Sequence, residues 1–113
     1  MKLCLTIKNS MTSLKRGKMK IVTYFDINQK ALEKWGNELQ IGMVIEECLE
    51  LATVLHKLRR TDKDPELLTE NIIDEIADVT IMIHQARMMF GAEKVDKKIA
   101  FKMERLKTKL GIE

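Results

Sequence analysis

Two acidic clusters have the spacing to bring oxygen ligands together: Glu46-Glu47-Cys48-Leu49-Glu50 and, after 24 intervening residues, Glu75-Ile76-Ala77-Asp78. In a helix, which advances about 100° and 1.5 Å per residue, positions three apart share a face and lie about 4.5 Å apart along the axis. Glu47 with Glu50 therefore makes one oxygen pair, and Glu75 with Asp78 another. If two such helices pack with these faces together, the carboxylates repel by roughly 3 kcal/mol per pair at about 5 Å and an effective dielectric of about 20. A cation between them would relieve that repulsion.

Alone, Glu46 and Glu50 also read as ordinary wet positions of an amphipathic helix. The second cluster is harder to dismiss, because it lies in the largely apolar run from Ile72 to Phe90. A buried carboxylate is normally neutralised, paired or metal-bound. Pairing with Arg105 or a lysine near it is the explanation that needs no metal. If a metal is bound, the ligand types select it. The residues three before His84 and His56 are Ile81 and Thr53, so the Glu-x-x-His pattern of di-iron bundles is absent. Zinc favours His or Cys, and neither is placed for it. An all-oxygen set suits Mg²⁺ or Mn²⁺, ions usually shared with a substrate's phosphates.

Helices must position these groups, and the chain is built for helices. Leu, Glu, Lys, Met and Ala dominate, with a single Pro and five Gly. Asp26 followed by Gln29 predicts a first helix from Ile27 to about Trp35-Gly36. From Glu38, apolar residues recur every three or four positions through Ile41, Val44, Ile45, Cys48, Ala52, Leu55 and Leu58, and Arg59-Arg60 suits a helix end. Asp64-Pro65-Glu66 opens a third helix, with Thr69 and Asn71 offering a later start, and Gly91 closes it. A fourth spans about Ala92 to Leu110, with Val95, Ile99, Met103, Leu106 and Leu110 inward, and Gly111 ends it. Apolar residues cover nearly the whole circumference of the third helix, which predicts a homo-oligomer packed over it.

At 113 residues the chain is sized for one domain, and the expected class is all-α, a four-helix bundle. Two cysteines, Cys4 and Cys48, make no disulfide framework, and Cys48 falls on the apolar side of the second helix. With no long apolar span and no secretion signal, the expectation is a soluble cytoplasmic protein without a membrane partner. Residues 1–20 hold Lys2, Lys8, Lys15, Arg16, Lys18 and Lys20 and no acid, so the overall charge of +3 conceals a net negative remainder. Nucleic acid is not an expected partner, because this basic stretch has no aromatic platform and no base-reading motif. Residues 1–22 read as a basic extension and 23–113 as the domain. Lys15-Arg16-Gly17-Lys18-Met19 is what a purine-rich ribosome-binding site and start codon would encode, so removing residues 1–18 is expected to leave activity unchanged.

The paired clusters resemble the MazG-like all-α nucleoside triphosphate pyrophosphohydrolases, whose signature is EExxE, a spacer, then ExxD. Trp35-Gly36 and Gln40 before the first cluster, Leu51-Ala52 after it, Val79 after the second, and the series Lys98, Lys102, Arg105-Leu106 extend the resemblance over about residues 27–110. It implies that Glu47, Glu50, Glu75 and Asp78 bind Mg²⁺, or Mn²⁺, and that Glu46 or a metal-bound glutamate such as Glu47 orients or deprotonates the attacking water. Lys98, Lys102 and Arg105 would hold the phosphate tail, although each also reads as a solvated lysine or arginine. Trp35 would stack on the base, or simply pack at its helix end. The implied reaction converts a nucleoside triphosphate, foremost a deoxynucleoside triphosphate, to monophosphate and pyrophosphate in nucleotide-pool sanitation, carried out by a homodimer or homotetramer. Phosphoribosyl-ATP pyrophosphohydrolase-like activity and a non-catalytic helical binding oligomer are the alternatives.

Overall fold

The computed structural model describes residues 11–15, 18–60 and 65–113, with side-chain surroundings for 21–60 and 66–113. Cys4 and the cap expected at Asp64 lie outside these residues. The body of the chain is all-α, with four helices: α1 (Tyr24–Trp35), α2 (Asn37–Arg60), α3 (Pro65–Phe90) and α4 (Ala92–Lys109). Ahead of them, β1 (Met11–Lys15) and β2 (Lys18–Val22) pair antiparallel, Met11 opposite Val22 and Lys15 opposite Lys18. These two short strands depart from the helical expectation. The alternation Lys18-Met19-Lys20-Ile21 is the period-two signal that favours them.

α1 begins three residues before the expected Ile27, because the capping box is set one step earlier than Asp26 and Gln29 implied. Thr23 is the N-cap: its hydroxyl accepts from the Asp26 amide at 3.1 Å, while its own amide donates to Asp26 Oδ2 at 3.0 Å. Asp26 is thus the reciprocal partner rather than the cap. Gly36 separates α1 from α2 at φ +85°, and Gly91 turns α3 into α4 at φ +108°, conformations that favour glycine. Across the second corner Arg87 Nη1 donates to Asp96 Oδ1 at 2.6 Å.

α3 is the hub, touching each of the other helices, and its contact with α2 is by far the most extensive. That seam sets the relative positions of the two acidic clusters. The apolar interior is small: Ile72 and Met82 are its buried hydrophobic residues. The accessible surface of 9668 Å² compares with about 6,400 Å² for a compact monomer of this mass. The 17.7 Å radius of gyration likewise exceeds the roughly 13 Å of a compact domain.

Several residues expected inside are therefore exposed. Cys48 is open to solvent because α2 presses only one flank against α3. On α4, Val95 and Ile99 are half-buried, but Met103, Leu106 and Leu110 are exposed. α4 packs chiefly on α3. On α3 itself, Ile73, Ile76, Ile83 and Phe90 are all exposed and recur at steps of three and seven residues, an uncovered apolar stripe along one face. Among the described residues no helix is long and apolar enough to cross a membrane.

Candidate metal centre

Glu47 projects from the middle of α2, and Glu75 and Asp78 from successive turns of α3. Packed side by side, the two helices bring one carboxylate oxygen of each to within 4.8 Å of the other two. Glu47 and Glu75 are half-buried and Asp78 is exposed. In both glutamates Oε2 is sealed from solvent and has no hydrogen-bond partner. The cluster is thus a shallow cleft with a dry floor.

The charges reinforce this picture. Loss of solvent, first, raises the Glu47 carboxyl above its ordinary 4.5; the charges of Glu50 and Asp78, a hydrogen bond with Glu50 and the charge of Glu75 add to the shift. The same order raises Glu75, with Asp74 in the last place. Among the described residues no ion pair joins α4 to these acids, so the metal-free pairing with Arg105 or a lysine of that helix is not seen there.

Of the expected site residues, Glu47, Glu75 and Asp78 meet directly. Glu50 is exposed and lies outside that tight group, yet its charge and hydrogen bond reach both glutamates. Glu46 is exposed and stands apart from the group, as a residue about 100° around the helix from Glu47 must. Lys98 has its Nζ 5.8 Å from the centroid of the Phe101 ring. Lys102 and Arg105 line a groove on α4 with Leu106 and Lys109. Trp35 is exposed at the end of α1, with Lys34 Nζ 5.4 Å from its ring centroid.

A second feature was not anticipated. Gln40 Nε2 donates to Gln85 Oε1 at 2.7 Å, and Gln85 Nε2 donates to Asn28 Oδ1 at 3.0 Å. This amide chain ties α2, α3 and α1 together, and its members are buried to 4%, 4% and 7% residual exposure. The sequence offered a weak signal, an uncharged amide at Gln85 within the apolar run. Beside Asn28 opens a cavity of about 490 Å³ between Tyr24 and Ile27 of α1 and Ala77, Ile81 and His84 of α3. Burial, and to a lesser degree the Arg87 charge, holds His84 below its ordinary 6.5, which favours the neutral ring.

Compared with protein-family models, curated proteins and solved structures, the chain matches none.

Proposed function

We propose that the protein is a divalent-cation-dependent nucleoside triphosphate pyrophosphohydrolase of MazG-like type, acting as a homo-oligomer. The observation that carries this reading is the meeting of Glu47, Glu75 and Asp78 around two sealed, unbonded carboxylate oxygens. A buried oxygen without a donor is costly, and a cation is the partner that satisfies several at once. The donor set is oxygen only, which fits Mg²⁺. With ligand oxygens within 4.8 Å of one another, Glu47, Glu75 and Asp78 are the residues that would hold such an ion.

Bound there, the cation would supply charge neutralisation for the triphosphate and a more acidic water. The chain's own part is to hold three carboxylates at that point, with exposed Asp78, and Glu50 outside the tight group, on the open side where a phosphate tail would arrive. A water oxygen forms the new bond to the α-phosphorus, the bridge to the β-phosphate breaks, and the water's proton passes to a carboxylate. Glu47, in the cluster, and Glu46, exposed on the next position of α2, are the candidate acceptors. Pyrophosphate departs with the bridging oxygen and monophosphate remains.

The uncovered stripe on α3 and the large accessible surface support the oligomeric part of the reading. Lys98, Lys102 and Arg105 remain candidates for phosphate contacts made between subunits.

Pyrophosphate release from a panel of canonical and damaged nucleoside triphosphates, with Mg²⁺, Mn²⁺ or chelator, tests the reading. We expect metal-dependent release that Glu50→Gln abolishes. Release unaffected by chelator would overturn the metal assignment. No release from any triphosphate, nor from phosphoribosyl-ATP, would leave the non-catalytic oligomer.

A further inference from the structure

We propose that the cavity between α1 and α3 holds the substrate's nucleobase, and that the Gln40–Gln85–Asn28 chain turns the Asn28 amino group into it, favouring an oxo-substituted base over its amino counterpart. The inference rests on the nucleotide chemistry proposed for the neighbouring carboxylates and names the substrate class.

The position is suitable. Ala77, on the cavity wall, and Asp78, of the acidic cluster, are consecutive in α3, so cavity and cluster open at the same level of that helix on faces about 100° apart. Its volume of about 490 Å³ falls within the roughly 300–1,000 Å³ of small-molecule sites. The walls are apolar at Ile27, Ala77 and Ile81, carry the rings of Tyr24 and His84, and include Thr80, whose hydroxyl proton is committed to the Ile76 carbonyl at 2.6 Å. A heterocycle needs such surfaces for its faces and a few fixed polar groups at its edge.

Asn28 is that fixed group. A primary amide has a donor end and an acceptor end, and a chain of amides passes its polarity along. Gln40 donates to Gln85, and Gln85 donates to Asn28, so the Asn28 oxygen is already used. Its Nδ2 is left, and the side chain, 93% buried, lines the cavity. Rotating the Asn28 amide alone would set its amino group against the Gln85 amino group, so the polarity changes only if Gln85 and Gln40 turn with it. The donor therefore meets a carbonyl oxygen, as in a 4-oxo pyrimidine or a 6-oxo purine, and meets another donor in the 4-amino or 6-amino analogue. An apolar filling of the cavity would leave that amino group without an acceptor.

Binding of free nucleosides without metal tests this apart from hydrolysis. Deoxyuridine is compared with deoxycytidine, and inosine with adenosine, by calorimetry above neutral pH. The oxo member of each pair is expected to bind about tenfold tighter, the worth of one hydrogen bond. Asn28→Asp, which offers only acceptors, should reverse the preference. Gln40→Leu does not touch the cavity but frees the chain's polarity, and should bring the preference close to unity, with helicity checked by circular dichroism. Equal binding of oxo and amino members by the unaltered protein would overturn the proposal, as would a preference that survives both substitutions. Triphosphate hydrolysis without any nucleoside binding would overturn it and leave the hydrolase intact. Oxo-selective binding without hydrolysis would support the cavity assignment and count against the hydrolase.

Discussion

Glu47 of α2 and Glu75 of α3 face the same seam, each with one carboxylate oxygen sealed and unbonded, and their ligand oxygens lie within 4.8 Å. Both carboxyls are raised above 4.5, so the folded protein binds more protons than the unfolded chain in a window extending upward from that value. Their contribution to stability is therefore present at the acidic side of the window and is lost as pH rises through the folded values. Without metal, Glu75→Gln should raise the melting temperature at neutral pH, because it removes one of the crowded charges. The same variant should lose the stabilisation that Mg²⁺ gives the unaltered protein. Thermal melts with Mg²⁺ and with chelator check both directions. A lower metal-free melting temperature in Glu75→Gln would mean that the carboxylate has a stabilising partner.

Asp78 is the exposed member of the group, and its side chain carries little of the packing. Asp78→Asn keeps the volume and removes the charge. We expect helical content to be unchanged and turnover to fall more than about 100-fold, since a ligand to the ion should matter at least as much as the groups that orient ligands. Circular dichroism and pyrophosphate release measure the two parts separately. Undiminished turnover in a folded Asp78→Asn protein would move the site away from this cluster.

The helices, and the sharing of one face by Glu75 and Asp78, were legible because both depend on local periodicity, whereas the meeting with Glu47 depended on how α2 packs on α3. Spacings of three and four fix which side chains share a face, whatever lies opposite. Burial was less legible. Cys48, Met103 and Leu110 lie on apolar sides, but the sequence does not say whether a neighbour in the same chain covers them, and none does. The cap at Thr23 was missed because Asp26 can serve either as cap or as the reciprocal partner of a cap, and only backbone geometry separates the two. The amide chain was missed because Asn28, Gln40 and Gln85 are far apart in sequence and uncharged. Neither charge pattern nor spacing marks a contact between α1, α2 and α3.

His84 gives a pH effect of opposite sign. Burial and Arg87 lower its pKa, so the folded state holds fewer protons than the unfolded chain between the lowered value and about 6.5. Stability should therefore be fully present above 6.5 and fall as pH drops through that window. The carboxylates act the other way, so the difference between unaltered protein and His84→Gln isolates the imidazole. Urea midpoints should show the unaltered protein losing more stability than the variant between neutral and mildly acidic pH. An imidazole that titrates by NMR above the ordinary value would contradict the burial argument.

The stripe of Ile73, Ile76, Ile83 and Phe90 on α3 sets the last expectation. Ile83 is 40% exposed, outside the cavity and two turns from Glu75, so a charge there should disturb association without touching the acids. In a homo-oligomer packed over this face, Ile83→Lys places an ammonium from every subunit into the contact, where its desolvation is uncompensated. Association should weaken by at least about 100-fold, a little under 3 kcal/mol. Sedimentation velocity should show dimer or tetramer for the unaltered protein and a shift to monomer for the variant. The variant's melting temperature should depend more steeply on protein concentration over the range in which it dissociates. A monomeric unaltered protein across that range, with the same melting temperature throughout, would remove the oligomer from the proposal.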